Sequence, residues 1–135
     1  MVIFDHEKLE VYGVACHYAD AADGIAAKIK RGNAHVRDQL RRASDSIVNN
    51  VAEGAGEFQP AEKARFYRIA LRSCTESAAS LHTCQRRNLA PLDEVEDARK
   101  LLKRVVEMMT RLVRTVGQRD RRNRDRDRDR DRDRV

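Results

Sequence analysis

Residues 95–116, VEDARKLLKRVVEMMTRLVRTV, carry the pattern that decides the fold. Val95, Ala98, Leu102, Val105, Met109, Leu112 and Val116 recur three and four apart, the period of a heptad seam along one helix face. A second row, Leu101, Val106, Met108 and Val113, widens that face beyond what a single partner helix covers. Such a helix needs two or three neighbours, so the expected architecture is all-α, an antiparallel up-and-down four-helix bundle with short connections.

Working upstream, Pro91 with Asp93 and Glu94 opens this fourth helix, and Arg86-Arg87-Asn88 closes the third. The third helix begins at Pro60, with Glu62 in its first turn. Its expected inner face is Phe66, Ala70, Ser73, Ser77 and Leu81, flanked by Ile69 and Cys74. The second helix buries Val36, Leu40, Ala43, Ile47, Val51 and Gly54, and Gly56 offers a left-handed terminating position. The first is expected to start near an N-cap at Asp5 and to carry Leu9, Tyr12, Cys16, Ala19, Ala22, Ala26 and Ile29 inward before Gly32-Asn33 stops it.

Downstream, Gly117 is expected to end the fold. From Arg119 the chain runs into Arg-Asp repeats with no apolar residue before Val135, a composition that reads as a disordered, mobile polyampholyte tail. The expected division is therefore a bundle over 1–118 and a low-complexity, mixed-charge tail over 119–135. At 135 residues, with two Pro, no Trp and 41% hydrophobic residues, the chain supports one modest, largely aliphatic core. The net charge of +6 splits evenly, because nine Arg and six Asp in 119–135 leave +3 for the rest. That surplus permits contact with nucleic acid without requiring it. Cys16, Cys74 and Cys84 read as reduced packing thiols. No apolar run is long enough to span a bilayer and Asp5, Glu7 and Glu10 are foreign to a signal peptide, so the cytoplasm is the expected compartment and no membrane role is expected.

The stretch from Arg41 to Gly56, RRASDSIVNNVAEGAG, resembles the signature of the bacterial four-helix-bundle family called 23S rRNA-intervening-sequence proteins. Its recurring S-I-x-x-N-I-A-E-G-x-G string is met by Ser46, Ile47, Asn50, Ala52, Glu53, Gly54 and Gly56, with Val51 for Ile. A second block, F-x-R-F-L-x-I-A-x-G-S-x-x-E, is similar to Ala64–Ser73 with Phe66 and Glu76. Glu57 stands where the family commonly carries a basic residue, and Arg72 where it carries Gly. The family is related distantly to the accessory variability protein of diversity-generating retroelements. The resemblance implies a small bundle that assembles into a ring-like homopentamer and binds nucleic acid.

Each marked residue also has a structural reading. Asn50 and Gly54 lie four apart on an apolar stripe and are read as a packing and register device, with a polar site or subunit junction as the alternative. Glu53 and Glu76 are expected to join ion pairs, Glu76 with Arg72 one turn away and Glu53 with an Arg across helices. Arg65, Arg68 and Arg72 share one outward face, and Arg37 and Arg41 form a one-turn pair; both groups can track phosphates, although a solvated basic face is the commoner explanation. His6, His17, His35 and His82 lack the spacing of a metal site, Gly54-x-Gly56 lacks a nucleotide loop's context, and no nucleophile set is present. No metal, cofactor or small-molecule substrate is expected. The expected function is non-enzymatic: a self-associating bundle, a pentamer by resemblance, that contacts RNA or DNA through its basic helical faces and the Arg-rich tail, with little sequence preference and strong salt dependence. The alternative is a structural or protein-recruiting bundle with no nucleic-acid role.

Overall fold

A computed structural model describes residues 1–134. The four helices are α1 (Glu10–Lys28), α2 (Ala34–Gly56), α3 (Pro60–Arg86) and α4 (Leu92–Asp133), with a short 3-10 turn, Asp5–Lys8, ahead of α1. Among the described residues there is no strand. Each helix packs on two others, α1 and α3 each lying against α2 and α4.

The core is aliphatic, with Ile25, Leu40, Ile47, Val51, Leu81, Val95, Val105 and Met109 almost fully buried. Tyr18 of α1 reaches across it to Ser77 of α3, hydroxyl to hydroxyl. That bond satisfies both buried polar groups, which would otherwise cost about 1–3 kcal/mol each. Lys28 at the end of α1 pairs with Glu94 at the start of α4, and Arg41 of α2 meets Asp23 of α1 at 2.9 Å.

The ends follow local chemistry. Gly32 adopts φ +97° in the turn between α1 and α2. Asn88 takes the left-handed conformation after α3, while the Leu89 N–H donates to the Cys84 carbonyl at 2.9 Å and the Asn88 N–H to Gln85 at 3.3 Å, a Schellman closure. Pro60 sits in the first turn of α3, where its missing N–H costs nothing.

Five expectations need correction. The first helix starts at Glu10, because Asp5 lies in the 3-10 turn beside Lys8 and caps nothing. In its first half the buried face is turned by about one residue, to Val11, Val14, Ala15 and Tyr18, while Ala22, Ala26 and Ile29 are buried as expected, with Ile25 beside them. On α3 the buried aromatic is Tyr67, with Phe66 only half-buried beside it. Gly56 ends α2 without a left-handed φ; instead the Lys63 ammonium donates to the Gly54 and Ala55 carbonyls, both at 3.0 Å. Finally, the Arg-Asp segment is not a disordered tail: α4 runs unbroken through Gly117 to Asp133. Extending a helix already nucleated by the core avoids the nucleation cost, Arg is a good helix former, and Arg and Asp three apart have opposite sign. The extension beyond Gly117 adds about 24 Å of solvated helix at 1.5 Å per residue.

Candidate nucleic-acid interface

Of the motif residues, Ser46, Asn50, Gly54 and Ser73 meet on the α2/α3 seam. Gly54 is buried against the Tyr67 ring: a Cβ at position 54 would collide with Cε1 and lie 2.6 Å from Cδ1. Glycine here is a close-approach residue, which lets an aromatic side chain lie on the α2 backbone. One turn back, the Asn50 amide donates to the Ser46 carbonyl at 2.8 Å and to Ser46 Oγ at 3.1 Å. Ser46 Oγ in turn lies 2.8 Å from Ser73 Oγ of α3. This ladder of hydroxyls and an amide locks the register of the two helices. Glu53 and Gly56 are exposed. Glu76 is exposed too, and neither a Glu76–Arg72 nor a Glu53–Arg pair is among the ion pairs of the described residues. Charges so open to water gain little from pairing.

The candidate phosphate-contacting arginines divide into two sets. Arg37 is 3.2 Å from its neighbour Asp38, Arg41 is held by Asp23, and Arg65 is 3.2 Å from Glu62 and stacks over Phe66 at 4.4 Å. Arg68 and Arg72 are exposed on α3 and stand outside the ion pairs of the described residues. Two grooves separate α3 from α4. One, of about 510 Å³, has apolar walls from Cys74, Ala78, Leu102 and Val106 beneath Arg99, Lys100 and Lys103. The other, of about 590 Å³, lies where α4 leaves the body, between Arg68 and three arginines of α4: Arg114, which sequence reading missed, and Arg121 and Arg124, which it placed in the Arg-rich tail without a partner on α3. The missed signal was present as spacing, since 114, 117, 121 and 124 fall on one helix face once α4 is known to continue.

Burial pushes the Cys74 thiol up to about 12, and raises Cys84 and Tyr67 by the same cause. Tyr18 is also pushed up by burial, against the opposing Ser77 hydrogen bond. Such groups stay protonated and inert at neutral pH. Cys16, Cys74 and Cys84 are free thiols. Among the described residues, no three His, Cys, Asp or Glu side chains come together in metal-holding geometry, and no helix is long and apolar enough to cross a membrane.

The profile of the 23S rRNA-intervening sequence protein family matches residues 7–111. The chain belongs to this family. The matched span takes in the α2/α3 seam and most of the helical body, whereas Arg114, Arg121 and Arg124 lie beyond it. No curated protein matches the chain at a significant level.

Proposed function

We propose that this family member is a non-enzymatic, antiparallel up-and-down bundle that self-associates and holds RNA or DNA by its phosphates. The observation that carries the reading is the row on α3: Arg68 and Arg72 project into solvent with no carboxylate partner among the described residues. Guanidinium groups bind phosphate in a bidentate fashion, and phosphate contacts carry no sequence information of their own, so contacts should be insensitive to sequence. The family's name, which refers to sequences intervening in 23S rRNA, is consistent with an RNA context. Self-association is supported by the apolar α3/α4 groove and by Val106, which is 36% exposed on its rim. A homopentamer is the assembly implied by the family resemblance. Cross-links from the end of one helix to the start of another, such as Lys28–Glu94, support the antiparallel arrangement.

The competing reading, a structural or protein-recruiting bundle, draws on one specific observation: Arg37, Arg41 and Arg65 are already matched by carboxylates. Titrating structured RNA and duplex DNA at about 50 mM and about 150 mM salt separates the two. Nucleic-acid binding predicts strong salt dependence and a loss of roughly tenfold or more in the Arg65/Arg68/Arg72 triple Ala variant. No binding by the wild type at the lower salt would leave the structural reading standing. Light scattering on the same samples reports the assembly, and a monomer of 15.5 kDa would refute self-association.

A further inference from the structure

We infer that the cleft where the α4 extension leaves the body is a seat for one strand of a phosphodiester backbone, built by Arg68 of α3 with Arg114, Arg121 and Arg124 of α4. It rests on the nucleic-acid reading above and gives it a location. The cleft is a meeting of two helix stripes. On α3 the residues at 61, 64 and 68 share a face, and on α4 those at 114, 117, 121 and 124 do. Their small members, Ala61, Ala64 and Gly117, leave about 590 Å³ of open groove, and their long members put guanidinium groups along both of its sides. From 114 to 124 the α4 row runs about 15 Å at 1.5 Å per residue.

Charge distribution along α4 singles out the same place. Residues 119–124 hold four Arg and one Asp, a net +3, whereas 125–134 hold five of each and carry no net charge. The extension is thus basic only at its root, and its outer length offers no comparable attraction. One carboxylate lines the cleft: Asp120, which engages Arg124 one turn along. Its hydrogen bond and charge hold that guanidinium still more firmly protonated. A phosphate entering the seat must compete with Asp120 for Arg124, so Asp120 sets the affinity from inside the site.

That competition gives the test its direction. Anisotropy of a labelled single-stranded RNA of mixed sequence is followed with the full chain and with Asp120→Asn, Arg121→Gln and Asp131→Asn, checking helicity of each by circular dichroism. Asp120→Asn should tighten binding roughly three- to tenfold. Arg121→Gln should weaken it by a similar factor and lower the salt slope by about one. Asp131→Asn makes the same charge change in the neutral outer stretch and should alter affinity less than about twofold. Inorganic pyrophosphate matched to the RNA in phosphate concentration, at constant ionic strength, should not displace the RNA. Equal tightening by Asp120→Asn and Asp131→Asn, or indifference to Arg121→Gln, overturns the seat while leaving general nucleic-acid binding intact. Ready displacement by pyrophosphate overturns the strand in favour of a small polyanion. Failure of the full chain itself to bind overturns seat and nucleic-acid reading together.

Discussion

The α2/α3 seam and the outer part of α4 are both helical, yet different forces hold them. At the seam, Gly54 admits the Tyr67 ring onto the backbone and Asn50, Ser46 and Ser73 share hydrogen bonds in a half-buried row. Beyond Gln118 every α4 residue except Asp120 is exposed, and the only support is local: propensity, charge pairs and continuity with the turn before. Helicity alone therefore says little about what a segment contributes to the fold. Burial separates the two, and the same substitution should have opposite effects in each.

The sharpest break is Gly→Ala made at both places. At position 54 the new methyl meets a ring that is only 2% exposed, so the helices must part or the ring must leave its well. Overpacking of this kind costs about 1–3 kcal/mol, only partly offset by the better helix propensity of Ala. At position 117 nothing lies within 4 Å of a new Cβ, and the helix should gain up to about 1 kcal/mol. Thermal melts of Gly54→Ala and Gly117→Ala should move in opposite directions. A double-mutant cycle of Gly54→Ala with Tyr67→Leu should show favourable coupling, and additivity there would mean that the ring is not what Gly54 accommodates.

Alkaline titration probes the buried side from a second angle. Cys74 rises from 9.0 to about 12 in the fold, and Tyr18 is raised as well, both through burial. A folded-state value above the unfolded one means that the stabilisation is whole below pH 9 and drains away as pH climbs towards 12. The melting midpoint should fall over that window. Cys74→Ala should flatten part of the fall. At pH 8 a thiol reagent should modify half-buried Cys16 and spare Cys74 and Cys84 until the chain unfolds.

What the sequence could and could not disclose follows the same division. The buried stripe of α2, Val36, Leu40, Ala43, Ile47, Val51 and Gly54, is where periodicity puts it, because few other apolar residues compete for the face. On α1, Ala and aliphatic residues occur on several faces, so the phase is ambiguous by about one residue. Only Tyr18, bonded to Ser77 fifty-nine residues away, fixes it. The choice of Tyr67 over Phe66 depends on the gap at Gly54, a long-range fact that no spacing within α3 contains. Of the candidate arginines on α2 and α3, Arg68 alone lines the cleft; Arg114 was not marked, and reading Gly117 as a terminator hid that Arg121 and Arg124 continue its helix face. Composition rightly indicates that 119–133 buries nothing; it does not indicate that a helix begun elsewhere can run on through it.

Removal of the extension is the smallest perturbation to stability and the most discriminating one. Deletion after Gln118 takes away the last fifteen residues of α4, so the far-ultraviolet helical signal should fall by their share. The melting midpoint should move by no more than about 2 °C, because these residues contribute no buried apolar area and surface ion pairs are each worth under about 1 kcal/mol. The intact chain should also lose helical signal in a separate, shallow phase below the main melt. That phase reports the extension fraying from its end, where like charges four apart oppose the opposite charges three apart. Raising salt screens both, so the shallow phase should shift with ionic strength while the main transition, set by the core, stays in place. A single cooperative transition that includes the extension, or a large fall in midpoint on deleting it, would show that these residues dock against the body or a second copy, and the contrast between seam and extension would collapse.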